Sequence, residues 1–109
     1  MTAALTIKAA NRAPRVVEAV EGGALALGST DSIVVIHAVE ALGAFTVTLP
    51  PATGLVPGKE IRIGFAVAVA ALTMNAGDLN TFLITPPSTV SANTALRYVL
   101  DASNRWCAV

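Results

Sequence analysis

Alternation of apolar and polar side chains organises most of this chain. Phe45, Val47 and Leu49 share one face of a run whose other face carries Thr46 and Thr48. Ile61, Ile63 and Phe65 repeat the pattern against Glu60, Arg62 and Gly64. A side-chain period of two marks strands with one buried face. Between the runs, Pro50, Pro51 and Pro57 have no N–H to give a ladder, so pairing is confined to the flanks. Thr94–Leu100 sets Leu96, Tyr98 and Leu100 against Ala95, Arg97 and Val99. The turn Asp101–Asn104 then leads into a last strand, Arg105–Val109.

Other segments are patterned differently. Gly28–Asp31 is a turn that introduces Ser32–Val39, where Ile33 to Ile36 form an unbroken apolar run. Such a run fits a central strand covered on both faces, or one face in the core and the other at a subunit contact. Gly43 is expected to interrupt the chain before Phe45. Val67–Met74 is a further alternating strand, ended by the turn Asn75–Asp78, and Thr81–Thr85 is a short one stopped by Pro86-Pro87. Residues 12–23 admit two readings. Asn11 could cap a helix with Pro14 in its first turn, or Arg15–Val20 could be a strand, which its β-branched content favours. Leu5–Lys8 could form a short strand within an arm that needs another surface to order it.

Many short strands punctuated by Gly, Pro and Asn predict an all-β fold, a single-domain β-sandwich or jelly-roll-like architecture with an N-terminal arm. The expected division is 1–27 for the arm with its first strand or helix, and 28–109 for the sandwich. The expected core is Ile33, Val35, Phe45, Val47, Leu49, Ile61, Ile63, Leu96, Tyr98, Leu100 and Trp106. TLPPAT (Thr48–Thr53) and ITPPST (Ile84–Thr89) echo one another as a repeated turn device.

Composition adds a pressure towards assembly. Hydrophobic residues make up 54% and charged residues 13% of the 109-residue chain. Soluble domains average about 45–50% and about 25%, so a monomer would expose apolar surface of the kind found at interfaces. Seven basic residues balance seven acidic ones, which leaves no basic stripe for nucleic acid. The longest apolar run, Gly64–Leu72, is far below the ~20 residues that span a bilayer. The start lacks the apolar core of a secretion signal. No membrane or nucleic-acid partner is expected, and synthesis is expected in the cytoplasm.

Candidate chemistry is sparse. His37 is the sole histidine, so no multi-histidine metal site is available. It sits in an apolar strand, where a hydrogen-bonded structural role is the expectation. No G-x-S-x-G elbow places a nucleophile. Asp31, Asp78 and Asp101 fall in turns, where Asp bonds its own backbone. Asn75 and Asp78 lack calcium-loop spacing. Glu18 and Glu21 read as a solvated face, and Lys59, Glu60 and Arg62 as a solvent face or polar interface rim. Cys107, the sole cysteine, reads as a buried inert thiol. Trp106 and Tyr98 could stack on a sugar, but core packing is preferred, with the Trp106 N–H bonded to a turn carbonyl. Neither an enzyme nor a cofactor is expected.

Taken in order, Val47–Pro50 (VTLP), Pro57–Lys59 (PGK), Ile61–Ile63, Gly77-Asp78 and Asp101–Trp106 (DASNRW) resemble a β-module of tailed-bacteriophage virion proteins. The resemblance runs from Ser32 to Val109. Leu79-Asn80-Thr81 stands where the module usually has I-D-G, and Trp106-Cys107 where it has Trp-Tyr. Such modules occur in capsid decoration (cement) proteins, head fibres and tail-fibre pieces, and usually form trimers. The chain carries no long shaft, so the resemblance implies a compact, complete decoration protein on the capsid surface, with the major capsid protein and itself as partners. It would staple neighbouring capsid subunits and hold the shell against internal DNA pressure. The interface expected on this reading comprises Leu5, Ile7, Lys8, Arg12, Arg15, Pro50, Pro51, Leu55, Val56 and Pro57. The alternatives are a head-fibre or glycan-binding tip using Trp106 or Tyr98, and a small hydrolase with His37 beside a carboxylate in a pocket.

Overall fold

The computed structural model describes residues 15–109. The expectations for Leu5, Ile7, Lys8 and Arg12 lie outside the described residues. Nine strands and no helix are found among those described: β1 (Arg15–Glu18), β2 (Ala24–Ala26), β3 (Ile33–His37), β4 (Leu42–Thr48), β5 (Glu60–Phe65), β6 (Val69–Asn75), β7 (Thr81–Phe82), β8 (Thr94–Leu100) and β9 (Arg105–Ala108). They form a six-stranded sheet, β1-β3-β5-β8-β9-β7, and a three-stranded sheet, β2-β4-β6. Their inner side chains make one core, so the chain is all-β and two-layered.

The strand directions were not legible in the alternation. β1, β3 and β5 run parallel to one another, as do β2, β4 and β6. Among the described strands, antiparallel pairing is confined to β5–β8 and β8–β9. A jelly roll is built of antiparallel strands, so the connectivity differs from that expectation. Parallel neighbours need a crossover, usually a helix. Here the strand in the opposite sheet is the crossover. The chain climbs as a coil, β1 to β2, β3 to β4, β5 to β6, with short arches at 19–23, 38–41 and 66–68. The arches stack through backbone bonds: Ala19 N–H donates to His37 O (2.7 Å), Ala66 N–H to Ile36 O (2.9 Å) and Leu42 N–H to Ala68 O (2.8 Å).

Stacking puts like on like. Arg15-Val-Val-Glu-Ala-Val20 lies in register beside Val34-Val-Ile-His-Ala-Val39, and Ile63–Phe65 continues the ladder. In the smaller sheet Leu25, Val47 and Met74 form one inward column. Residues 15–27 are therefore part of the domain and not an arm, and Leu25 and Leu27 belong to its core. The strand reading of Arg15–Val20 holds over Arg15–Glu18.

Most of the expected core is buried: Phe45, Val47, Leu49, Ile61, Ile63, Tyr98, Leu100 and Trp106. Leu96 is half-buried against it. Ile33 and Val35 are corrected. Val34 and Ile36 point inward with no exposure, whereas Ile33 is 40% exposed and Val35 half-buried on the outer face. An unbroken apolar run carries no period from which to choose the inner face. Gly43 does not break the chain but lies within β4. There the Glu21 carboxylate accepts from the backbone N–H groups of Gly43 (2.6 Å) and Ala44 (2.8 Å), extending the ladder before β2 begins.

Candidate functional site

The segments that carry the virion resemblance converge in space. Beyond β4, Leu49 N–H donates to Asn75 O (2.9 Å) and Ala52 N–H to Asp78 O (2.9 Å), so the TLPP segment runs against the Asn75–Asp78 turn. Gly77 takes φ +90°, and a Cβ there would overlap the carbonyl oxygens of Leu49 and Pro50. Asn80 is buried and donates from Nδ2 to Pro50 O (3.0 Å). Trp106, fully buried, donates from Nε1 to Ala76 O in the same turn (2.8 Å), the turn-carbonyl bond expected of it. The Pro57–Lys59 loop is tied to the end of β8: Gly58 N–H donates to Leu100 O (2.8 Å), and Leu100 N–H to Lys59 O (2.9 Å). Asp101 then closes the β8–β9 hairpin, accepting from the N–H groups of Ser103 and Arg105 and from Arg105 Nε. Desolvation opposes its ionisation, but those bonds outweigh it and hold its carboxyl below the usual range.

This brace revises the expected interface. Pro50 is buried beneath the turn, because its carbonyl serves Asn80, and is withdrawn as a contact residue. Leu55 is half-buried against the core. Pro51, Val56 and Pro57 are exposed. Arg15 is exposed and donates to Asp31 Oδ2 (3.0 Å), which also accepts from Gly28 N–H (2.8 Å). Sequence reasoning missed Leu79, an apolar residue 74% exposed and held at φ 65° in the turn beside the brace. A bulky residue in that left-handed region is a genuine outlier.

The residues with candidate chemistry are placed apart. His37 is an exposed side chain on the outer face of β3, and it is hydrogen-bonded as expected, its Nδ1 lying 3.1 Å from Glu18 Oε2 on β1. No group of three or more His, Cys, Asp or Glu among the described residues could hold a metal ion. Cys107 is half-buried, not sealed in the core, with Sγ 3.8 Å from Asp101 Oδ2. Tyr98 is buried against Phe82, ring centroids 5.5 Å apart, and burial pushes its phenol up. Neither Trp106 nor Tyr98 presents a ring to a sugar.

The outer face of the six-stranded sheet is the most distinctive surface. Val16, Val35, Gly64 and Ala95 form one row across β1, β3, β5 and β8. A shallow hollow of about 270 Å3 lies over Val35, Gly64 and Ala95. On one side of the row stand Glu18 and His37; on the other, Ile33, Arg62 and Arg97. Arg62 and Arg97 are direct cross-strand neighbours, and both donate from Nε to Oε2 of Glu60. Arg97 first, then Arg62, holds the Glu60 carboxyl below its ordinary value.

No protein-family model, curated protein or solved structure matches this chain.

Proposed function

We propose that this chain is a structural protein of a tailed-bacteriophage virion, a capsid decoration protein that sits on the head surface as a homotrimer and stabilises the shell. The observation that carries this reading is the brace. The TLPP, PGK, NAGD and DASNRW segments, on which the resemblance rests, are spent on holding one another through backbone carbonyls and the Trp106 indole. Their residues fix a rigid two-layer β unit, as a structural module requires. The layering supports the sandwich class, while the parallel coil makes it a variant without jelly-roll connectivity.

On this reading the capsid contact is made by the exposed loop residues Pro51, Val56 and Pro57, with Leu79 added because strain at an exposed apolar residue is a mark of functional surface. Contacts of modest area, repeated over many copies, sum to a large effect on the shell at roughly 25 cal/mol per Å2 of apolar burial. The test is saturable binding of the purified protein to expanded capsids. Leu79→Asp should weaken that binding at least tenfold, and absence of capsid affinity in the wild-type protein ends the proposal.

A head-fibre or tail-fibre module is the second reading. It is favoured by the parallel coil, since coils of this kind lengthen by adding turns. Specific signal on a glycan array would select it, with a surface other than the Trp106 and Tyr98 rings as the binding site.

A further inference from the structure

More positive charge gathers at one hollow than its neighbours balance. Where β3 and β5 begin, Ser32, Ile33, Lys59, Glu60 and Arg62 line a shallow hollow of about 250 Å3. Arg97 on β8 stands directly across from Arg62, a like-charge placement that weakens a sheet. Glu60 Oε2 accepts from the Nε of both arginines. That engages one N–H of each guanidinium and leaves the Nη ends of both to donate elsewhere. Lys59 Nζ lies 3.4 Å from Ser32 Oγ and is bonded to no carboxylate among the described residues. Lys59, Arg62 and Arg97 thus share Glu60 alone, three cations to one carboxylate, an excess of two charges. The other described arginines each have a carboxylate of their own, Arg15 with Asp31 and Arg105 with Asp101.

We propose that this hollow binds a phosphomonoester, its phosphate held by Arg62, Arg97 and Lys59 and its single ring-sized organic group lying over Ile33. Such a site goes beyond the structural role proposed above, and neither trimer formation nor capsid binding bears on it.

Charge and shape select the ligand. A phosphate monoester carries about −1.5 to −2 at neutral pH and three terminal oxygens, which matches two spare positive charges and three cationic donors. Guanidinium forks bind such oxygens in pairs, and an ammonium adds a point charge. A carboxylate brings one charge and two oxygens, so it would leave one cation unanswered. By anchoring both Nε atoms, Glu60 orders the two forks before a ligand arrives, which lowers the entropy lost on binding. It stays ionised because the same arginines hold its carboxyl below the ordinary value. The volume falls short of the roughly 300–1,000 Å3 of drug-sized sites, so one small ring fits and a dinucleotide does not. Ile33, exposed at the start of β3, gives that ring an apolar floor.

The experiment is a titration of the full chain with glucose 6-phosphate, read from the NMR signals of backbone amides and arginine Nε–H groups at about pH 7.5, where the phosphate is mostly dianionic. Glucuronate, a hexose bearing a carboxylate, is the competing probe. Glucose 6-phosphate should saturate one site, with shifts centred on Ser32, Ile33, Arg62 and Arg97, and should bind at least fivefold tighter than glucuronate. Arg62→Gln and Arg97→Gln should each weaken it at least fivefold, and Lys59→Gln at least threefold. All three side chains lie at the surface, and circular dichroism checks that the variants fold. Arg105→Gln removes the same charge from the same sheet outside the hollow and should leave binding unchanged. Shifts that fail to saturate overturn the proposal, as does equal affinity for glucuronate. So does a loss with Arg105→Gln as large as with Arg97→Gln, which would report net charge and not a site.

Discussion

The two sheets share one core but differ sharply outside it. The strands of the three-stranded sheet, ALA, LGAFTVT and VAALTMN, carry no charged residue. Every ionisable strand residue with a charged or imidazole side chain among those described, from Arg15 and Glu18 through His37, Glu60, Arg62 and Arg97 to Arg105, lies on the six-stranded sheet. The outer face of the smaller sheet is Ala and Thr, with Asn75 Nδ2 donating to Thr48 Oγ1 (3.3 Å) in one ladder. That face is uncharged and largely exposed. The other sets an apolar row, Val16, Val35, Gly64 and Ala95, between Glu18 and His37 on one side and Arg62 and Arg97 on the other. Both sheets thus contribute to one core, while the charged strand residues are confined to one side.

The sharpest way to break the comparison is to exchange inner and outer positions on one sheet. Ile63→Ala, at a fully buried site, should cost about 2–5 kcal/mol in urea unfolding. Ile33→Ala, at an outer site in the same sheet, should cost under about 1 kcal/mol at low protein concentration, where association does not contribute. Equal losses would mean that Ile33 packs in the core and not on the outer face.

Next comes a lysine on each outer face. If the proposed trimer uses the charged sheet's outer face, Val35→Lys should lower the mass measured by light scattering, whereas Thr73→Lys, exposed on β6 of the uncharged sheet, should leave the mass and the unfolding midpoint unchanged. Assembly lost with Thr73→Lys would place recognition on both sides. Glu21 offers a smaller effect, since its carboxylate accepts from the backbone of the uncharged sheet. Glu21→Ala unpairs the Gly43 and Ala44 N–H groups and should cost on the order of 1 kcal/mol.

The smallest effect is electrostatic. Glu60 and Asp101 both titrate below their ordinary values of 4.5 and 3.8 in the folded chain. A depressed carboxylate pKa gives stability that is fully present above the unfolded value and fades as pH falls through the folded one. Thermal midpoints measured downward from pH 5 should therefore decline in wild type. They should decline less in Glu60→Gln, while Thr73→Lys should follow wild type. A Glu60→Gln profile identical to wild type would show that the arginine pair does not depend on its carboxylate.

The sequence was legible where one physical rule acts alone. Alternation located Thr94–Leu100 to the residue, and the rule that a buried indole needs an acceptor anticipated the Trp106 bond. It was not legible where two arrangements satisfy the same rule. A strand of period two reads alike whether its neighbour is parallel or antiparallel, and Gly/Pro punctuation suits an arch between sheets as well as a hairpin. One signal was present: RVVEAV and VVIHAV, nineteen positions apart, are neighbouring rungs of the same coil. Pro50 shows the other limit. A proline is expected at the surface, and the partner that buries it, Asn80, lies thirty residues on in an unremarkable turn.

The parallel coil also sets a clock. Every parallel pairing joins residues at least nineteen positions apart, from Arg15 with Val34 upwards, while Leu100 and Trp106 in the β8–β9 hairpin are six apart. Chains dominated by distant pairings fold in milliseconds to seconds, since loop closure is spent before contacts repay it. Hairpins of this kind form in about 1–10 microseconds, and among the described strands β8–β9 is the most local pairing. During that delay the unpaired rungs of β1 to β6 are open to strands of other nascent chains. A particle that needs many copies at once would therefore be limited by how fast each coil winds, and dilution or lower temperature during expression should raise the folded yield.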